Sequence, residues 1–350
     1  MVHASGRALP PGIPGPTRLD LGLCRLLPQP GKSRRIRPWC DALEIGAAFR
    51  LLPDSMDRET WIAALRGFQD PGTGLVPGHI PDDRHLDPPW ALLPQQMDLY
   101  GTMVVNYALE CLGSSLAHPV LAAEQISAGL LGEILDMLDW TNSAWGAGHW
   151  IDCYASCLSA NQRHFGLGLR IDDLFRWLDT HVDPQSGLWG LWRKEDRWLQ
   201  PVNGFYRLTR GTYAQFGRPL PLPEKAVDTI LLHSMDSAFF GEGRGNACNV
   251  LDVVHPLWLC LQQTSHRRNE AQVWVRERLP EVLTRWHPSR GFAFDPAATT
   301  DQGQPGLQGT EMTLSIVYLM ADLLDLAGHL SWRPYGVHRL PPASTAERCF

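Results

Sequence analysis

The stretch Asp183-Pro184-Gln185-Ser186-Gly187-Leu188-Trp189-Gly190 is a turn of small residues in which glycine stands beside a bulky apolar residue. It follows a helix-like segment, and four other helix-like segments end in a turn of the same kind. Those four turns are Asp70-Pro71-Gly72-Thr73-Gly74-Leu75, Ser143-Ala144-Trp145-Gly146, Ser237-Ala238-Phe239-Phe240-Gly241 and Pro288-Ser289-Arg290-Gly291-Phe292. They recur at intervals of roughly 50 residues, a spacing typical of repeated structural units. The chain is therefore predicted to be built from repeated helical units.

The turns separate helices of two alternating kinds. One kind is amphipathic and charged, and it covers residues 57–68, 121–140, 171–181, 222–233 and 270–286. The other kind is apolar on most faces, and it covers residues 39–49, 97–112, 149–159, 204–216, 247–261 and 309–326. A helix that is apolar all round is typical of a protein interior. The second kind is therefore predicted to form an inner ring, and the first kind an outer ring.

This alternation predicts an all-α fold, an (α/α)6 toroid in a single domain. A sixth outer helix is not evident, so the N-terminal segment or the C-terminal tail is expected to take its place. The predicted boundaries are an extended Pro- and Gly-rich segment at 1–30, the toroid at 31–330 and a C-terminal tail at 331–350. Short β hairpins are expected in loops, around residues 187–198 for example.

The composition excludes several classes of protein. A hydrophobic fraction of 44% and a charged fraction of 19% are ordinary for a soluble globular protein. The net charge of -6 argues against nucleic acid as the main partner. The sequence has no apolar run long enough to span a membrane, and its start lacks the apolar segment of a secretory signal. We therefore expect a cytoplasmic protein whose cysteines are free thiols.

Polar residues concentrate near the predicted starts of the inner helices. Because those starts surround one rim of the cavity in a toroid, we expect their side chains to converge in a pocket walled by aromatic rings. The candidates for binding a small molecule there are Asp41, Asp98, Tyr100, His149, Trp150, Tyr206, Asn246, Asn249 and Glu311. An alternative suits Asp41 and Glu311, since a carboxylate in the first turn of a helix also compensates the helix dipole.

Asp252, His255 and Asp152 are the candidate catalytic residues. Asp252 lies in an apolar segment between Leu251 and Val253, where burying a charged side chain is costly unless it has a partner or a function. A buried carboxyl has a raised pKa and can stay protonated to act as a general acid. A hydrogen bond from His255 is expected to tune this acid, and Asp152 is expected in the first turn of its inner helix.

No metal and no cofactor is expected. Cys248, Asp252 and His255 share one helical face, but they extend over about 10 Å of helix, too far for one ion to reach comfortably. The spacing of Cys153 and Cys157, one turn apart, is more typical of core cysteines. Arg207 could bind an anionic substrate or pair with a carboxylate, and the same two alternatives hold for Arg210.

Two of the repeats carry a resemblance to a known family. Arg66-Gly67-Phe68-Gln69 through Gly74-Leu75 is similar to a degenerate glutamine–tryptophan repeat, and Trp177-Leu178 through Gly187-Leu188-Trp189 keeps its terminal G-x-W. On these residues the chain resembles the terpenoid cyclase and protein prenyltransferase superfamily of α/α toroids. The D-P-x-T/S-G-L-W style of turn is also similar to that of unsaturated glucuronyl hydrolases and related six-hairpin sugar enzymes.

The chemistry of that superfamily is only partly represented. The D-x-D-D acid motif of class II terpene cyclases is absent, and Asn249-Val250-Leu251-Asp252 and Arg170-Ile171-Asp172-Asp173 are the nearest segments. Protein prenyltransferases bind zinc through a D-x-C pair, whereas Asp152 and Cys153 are adjacent here. The resemblance therefore implies a fold, and its chemistry is carried over as analogy.

The favoured hypothesis is a small-molecule cyclase or isomerase that starts its reaction by protonation. The substrate is expected to be apolar or isoprenoid-like. Asp252 would donate the proton, His255 and Asn249 would tune it, and the rings of Trp150 and Tyr206 would stabilise developing cations.

Two other hypotheses stay open. One is a hydrolase, lyase or epimerase acting on sugars, with Asp98, Asp152 and Glu311 as acid and base; it requires a carboxyl pair across an open, wet cleft. The other is a non-catalytic binding toroid. In that protein, side chains would plug the cavity and the carboxylates of the inner helices would all serve as caps.

Overall fold

The computed structural model describes residues 36–53, 56–77, 96–241 and 243–338. Within these ranges the chain is mostly helical, with α-helices α1 to α13 and a single sheet of two short strands. The all-α prediction is therefore confirmed. The predicted N-terminal segment 1–30 and residues 339–350 of the predicted tail lie outside the described residues.

Six apolar helices correspond to the predicted inner set. They are α1 (Arg37–Ala48), α3 (Gln96–Cys111), α6 (Ala144–Phe165), α8 (Leu199–Thr209), α11 (Ala247–Cys260) and α13 (Leu307–Leu323). The other helices are α2 (Arg58–Arg66), α4 (Leu121–Glu124), α5 (Ala128–Met137), α7 (Ile171–His181), α9 (Pro223–Ser234), α10 (Ser237–Phe240) and α12 (Arg268–Thr284). A π-helical turn, Arg210–Ala214, extends α8, and short 3-10 turns cover Asp301–Gly303 and Ala327–His329.

The six apolar helices contact one another in a closed order. Each packs against the next in the sequence α1, α3, α6, α8, α11, α13, and α13 packs against α1. The amphipathic helices lie against this set, for example α2 on α3, α9 on α11 and α12 on α13. Side chains between the helices, such as Leu99, Leu158 and Leu257, are fully buried. The core is therefore shared among all six helices.

Glycines bring α6 and α8 into close contact. A Cβ on Gly148 would collide with the backbone of Gly204, and a Cβ on Gly204 would collide with the backbone of Ala144. The segment Ser143-Ala144-Trp145-Gly146, predicted as a turn, instead forms the N-cap and first turn of α6. Because α6 begins at Ala144, Asp152 lies in its third turn, and the prediction of a first-turn position is wrong.

Other predicted elements differ in extent. Residues 121–140 form α4 and α5 instead of one helix, because Ser127 caps a new helix by accepting a hydrogen bond from the backbone N–H of Leu130 at 3.2 Å. The turn at 237–241 contains α10. Two strands pair at the fifth predicted turn: β1 (Trp286–His287) precedes it, and β2 (Gly291–Phe292) is formed by its last two residues. The expected hairpin region holds only an isolated bridge between Arg193 and Arg197.

Residues 331–338, the first part of the predicted tail, lie inside the fold. We call them the C-terminal segment. Trp332 packs against Phe49 near the end of α1, with ring centroids 5.6 Å apart. Tyr335 packs against Ala47, and a Cβ on Gly336 would collide with the side chain of Glu44. The segment therefore passes along α1 from its C-terminal end towards the middle of the six helices.

None of the helices in the described ranges combines the length and the apolar composition needed to cross a bilayer.

Candidate functional site

The middle of the six helices holds a group of buried or half-buried polar side chains, which we call the central cluster. Each of the six helices contributes at least one member, and so does the C-terminal segment. The members are Arg37, Asp41 and Glu44 of α1, Tyr100 of α3, His149 and Asp152 of α6, Tyr206 and Arg207 of α8, Arg210 of the π-helical turn, Asp252 and His255 of α11, Glu311 of α13, and His338. A polar interior of this kind has to be explained contact by contact.

Asp152 is held by two arginines. Its Oδ2 accepts a hydrogen bond from Nη1 of Arg207 at 3.3 Å and another from Nη2 of Arg210. The π-helical turn sets this arrangement, because Gly211 lies against Asp152 where a Cβ would collide. Arg210 also donates to the carbonyl of Val337 at 3.0 Å. Two guanidinium groups on one carboxylate leave this group with a net positive charge.

Arg37 joins α1 to α3 and α13. It donates to Asp41 and to the hydroxyl of Tyr100, and its Nη2 lies 3.6 Å from Oε2 of Glu311. Neither Asp41 nor Glu311 is in the first turn of its helix, so the alternative role in compensating the helix dipole is wrong for both. Burial raises the pKa of Asp41 to about 6, against the opposing effect of Arg37. Above that pH, two carboxylates share one arginine, and the group is net negative.

A chain of hydrogen bonds connects Glu311, His338 and Tyr206. Oε1 of Glu311 lies 2.7 Å from Nδ1 of His338, and the Tyr206 hydroxyl lies 2.6 Å from Nε2 of the same ring. Burial lowers the pKa of His338 despite Glu311, so this imidazole is neutral near pH 7. Burial alone would raise the pKa of Glu311, but His338 and Arg37 outweigh it and lower this pKa. An ionised Glu311 only accepts, so Nδ1 carries the proton and Nε2 accepts from Tyr206.

Glu44 completes the contacts of the C-terminal segment. Its Oε2 accepts a hydrogen bond from the backbone N–H of Val337 at 2.7 Å. Burial, with Glu311 nearby, raises the pKa of Glu44 well above its usual value. The segment is thus held by side chains of α1, of α13, of α8 and of the π-helical turn that extends α8.

Asp252 stands apart from these contacts. Its side chain is 1% exposed, and neither carboxyl oxygen has a hydrogen-bond partner among the described residues. Burial raises its pKa well above the usual value, against the opposing effects of Arg207 and Arg210. Burial thus favours the protonated form of a carboxyl that has no hydrogen-bond partner in the described part of the chain, and such a group calls for an explanation.

His255 follows Asp252 by one turn of α11. The predicted hydrogen bond between them is wrong, because the ring of His255 instead packs edge-on against Tyr206, with centroids 5.2 Å apart. Burial lowers its pKa well below the usual value, so the ring is neutral. Its Nδ1 has no hydrogen-bond partner within the described ranges.

The remaining predicted residues fall into different positions. Asn246 caps α11 by accepting from the backbone N–H of Asn249 at 2.9 Å, and the Asn249 side chain is half-buried one turn before Asp252. Asp98 is half-buried in the first turn of α3. Trp150 stacks on Tyr154, whose hydroxyl donates to Ala123 in α4, so Trp150 faces α4 and not the central cluster.

Several members of the site were not among the sequence candidates. Trp145, 37% exposed, stacks on His149 with ring centroids 5.5 Å apart. Arg37 was not singled out, and His338 belonged to the predicted tail. The sequence carries no pattern that singles out His338, whereas the apolar helix around Glu44 offered the same signal that identified Asp252.

Among the described residues, His149, Asp152 and Cys153 form a group that could be considered for a metal. Their donor atoms all lie within 4.8 Å of one another. However, Asp152 is already bound by two guanidinium groups, and burial together with nearby Arg207, Arg210 and Arg37 lowers the pKa of His149 well below its usual value. A cation there would meet three positive charges, so the donor set does not fit a metal ion.

A scan against protein-family models, a search of curated proteins and a search of solved structures each found no match to this chain. Function is therefore inferred from the residues of the central cluster.

Proposed function

We propose that the six apolar helices are the inner ring of an (α/α)6 toroid, and that the chain is an isomerase or cyclase that protonates a small molecule at its centre. Asp252 is the proton donor. The closed order of helix contacts supports the fold, and the unpartnered, protonated carboxyl of Asp252 supports the chemistry. The small molecule is isoprenoid-like in one respect: it has a double bond that can accept a proton.

The choice of Asp252 follows from elimination among the carboxyls of the central cluster. Asp152 is held by Arg207 and Arg210, and Glu44 accepts from the C-terminal segment. Asp41 and Glu311 share Arg37. Each of these four has a structural partner that accounts for it. A buried carboxyl without a partner is costly to keep, which favours a role in chemistry.

Proton transfer from Asp252 would leave a carboxylate on this residue and a carbocation on the small molecule. Arg207 and Arg210 act on Asp252 in the direction that favours its carboxylate, so they stabilise the first product of the step. The cation is stabilised by the ring of Tyr206 and by the net negative group around Arg37.

The reaction ends when a proton leaves another carbon of the cation. His255 is the base we assign to this step, because its ring is neutral and its Nδ1 has no partner in the described part of the chain. The substrate gains one proton from Asp252 and loses one to His255, so the product is an isomer.

Turnover in deuterated water tests this function. The purified chain is incubated with unsaturated isoprenoid alcohols and acids, and products are analysed by mass spectrometry. The exchangeable proton of Asp252 should appear as a single carbon-bound deuterium in the product. Asp252→Asn should abolish product, whereas Asp301→Asn, at an exposed position, should not. Full turnover by Asp252→Asn would show that the assignment is wrong.

One observation favours a second candidate, a toroid that binds its own C-terminal segment and has no catalytic role. Val337 and His338 occupy polar groups of α1, of α8 with its π-helical turn, and of α13. Unpartnered Asp252 is left unexplained by this candidate. Deuterium incorporation that requires Asp252 would exclude it. No comparable observation favours the sugar enzymes, because Asp152 is bound to two arginines and Glu311 to His338 and Arg37.

A further inference from the structure

We propose that the small molecule carries an anionic group, a carboxylate or a phosphate, and that Arg207 binds it. The inference rests on the proposed function in one respect, since it takes the anion to be part of the molecule that Asp252 protonates. It adds the chemical class of the substrate and the position of its charged end.

The first observation behind this proposal is the distribution of charge in the central cluster. Arg207 and Arg210 share one carboxylate, that of Asp152, and Asp252 forms no ion pair with either of them. Within the described ranges, Asp152 is the single carboxylate with which Arg207 forms an ion pair. This side of the cluster therefore has one positive charge more than its own acids neutralise. Asp41 and Glu311 offset this charge in the cluster as a whole, but both lie against Arg37 and neither forms an ion pair with Arg207. An anion placed against Arg207 would therefore be stabilised.

The two arginines differ in access. The side chain of Arg210 is 3% exposed, and it is also used to hold the carbonyl of Val337. The side chain of Arg207 is 17% exposed. Its guanidinium carbon lies 5.9 Å from the ring centroid of Trp145, a partly exposed side chain. Arg207 is therefore the member of the pair that a molecule entering from solvent can reach.

The side chain of Arg207 is already held in position before a small molecule binds. Nη1 is directed at Asp152 by the 3.3 Å contact, and the side chain lies along the indole of Trp145. A guanidinium is planar and presents several N–H donors, so one side can stay on Asp152 while another edge binds a carboxylate or phosphate with two hydrogen bonds. Such a preorganised donor loses little freedom on binding.

An anion bound to Arg207 would also support the acid. Burial raises the pKa of Asp252, and Arg207 opposes this effect. An anion on Arg207 offsets this positive charge, so Asp252 stays protonated until it acts, while Arg210 remains to stabilise the carboxylate that forms. The net negative group around Arg37 would stabilise the cationic part of the molecule.

Binding of matched probes tests the proposal without any turnover. Geranate, geranyl monophosphate and geraniol share one carbon skeleton and differ in charge, and their dissociation constants are measured by calorimetry. We expect at least one of the two anions to bind about tenfold or more tightly than geraniol, as expected for a charge-assisted pair. The tighter anion identifies the group. Arg207→Gln should remove the preference, and Arg176→Gln, an exposed surface arginine, should keep it.

Because Arg207→Gln also removes an ion pair of a buried carboxylate, a second measurement uses the wild-type chain. Arg207 is modified with p-hydroxyphenylglyoxal and the modified peptide is quantified by mass spectrometry. The preferred anion should slow modification of Arg207 and leave Arg176 unaffected, and geraniol should protect neither. Equal binding of geraniol and both anions, or no protection of Arg207 by either anion, would overturn the proposal.

The two proposals fail separately. If Asp252→Asn abolishes turnover but no probe shows a preference for the anion, the acid stands and the anion site is wrong. If geranate or geranyl monophosphate protects Arg207 while Asp252→Asn turns over normally, the anion site stands and the proposed reaction is wrong.

Discussion

The Tyr206 hydroxyl donates to Nε2 of His338 at 2.6 Å, a contact between residues 132 positions apart in the chain. It fixes the end of the C-terminal segment in the middle of the six helices, beside the ring of His255. The segment is thus part of the structure that surrounds Asp252, and its removal should affect both stability and the site.

His338→Ala should destabilise the chain. It leaves the Tyr206 hydroxyl and a carboxylate oxygen of Glu311 buried without their partner, and each such group costs about 1–3 kcal/mol. We expect the free energy of unfolding in urea to fall by about 2–4 kcal/mol. His329→Ala, at an exposed position in a 3-10 turn, should change it little. Equal effects of the two substitutions would contradict the role given to His338.

Arg210→Gln should be among the most destabilising substitutions in the cluster. The side chain is 3% exposed, and its loss weakens the pairing of buried Asp152 and removes the bond to Val337. Breaking a buried ion pair typically costs about 3–5 kcal/mol. The comparison is with Arg176→Gln, whose arginine is 71% exposed and should contribute almost nothing. Both free energies come from urea unfolding, and a loss below about 1 kcal/mol at Arg210 would count against the contacts described.

Gly148→Ala should prevent the close packing of α6 on α8. The new Cβ would collide with the backbone of Gly204, which has no side chain to move aside. Gly132→Ala in α5 is the matched control, because a Cβ there meets nothing within 4 Å. Alanine is a better helix former than glycine by about 1 kcal/mol, so the control should raise the melting temperature while Gly148→Ala lowers it. The same direction for both would show that the two helices do not approach so closely.

The pKa of Asp252 gives stability a defined dependence on pH. Because the folded pKa is raised, the native state binds a proton that the unfolded chain has released above its own pKa near 4. This contribution is complete below pH 4 and is lost as pH rises towards the folded pKa, by up to about 1.4 kcal/mol per pH unit.

Asp252→Asn cannot ionise, so it should gain stability relative to the wild type as pH rises from 4 to 8. The difference in free energy of unfolding between the two chains is measured at each pH by urea titration. A difference that stays flat with pH would mean that this carboxyl is ionised in the folded chain.

The sequence was sufficient for the helices and for Asp252, because both depend on local patterns. Apolar residues on all faces identified the six helices that contact one another in a closed order, and the apolar neighbours of Asp252 identified a buried carboxyl. The start of α6 was misjudged for a related reason. Gly146 and Gly148 are typical of a turn. The close approach of Gly204 explains Gly148 inside a helix, whereas a Cβ on Gly146 would meet the side chain of Ser143.

The rest of the site depends on contacts between distant segments. Nothing near His338 indicates that it reaches Tyr206 and Glu311. Trp145 and Trp150 lie close together in the sequence, and the sequence does not show which of them stacks on His149. That depends on where α6 begins and on how the helix is rotated. Pairing of Asp152 with Arg207 and Arg210 depends on the π-helical turn, whose extra residue no propensity predicts.

The protonation state of Asp252 is the central claim, and infrared difference spectroscopy measures it without knowledge of the substrate. The spectrum of Asp252→Asn is subtracted from that of the wild type at pH 7, and the pair is repeated in deuterated water. We predict a carbonyl stretch of a protonated carboxylic acid that belongs to Asp252 and shifts on deuteration. A difference spectrum with only the bands of an ionised carboxylate would contradict the account, because Asp252 would then have no proton to donate.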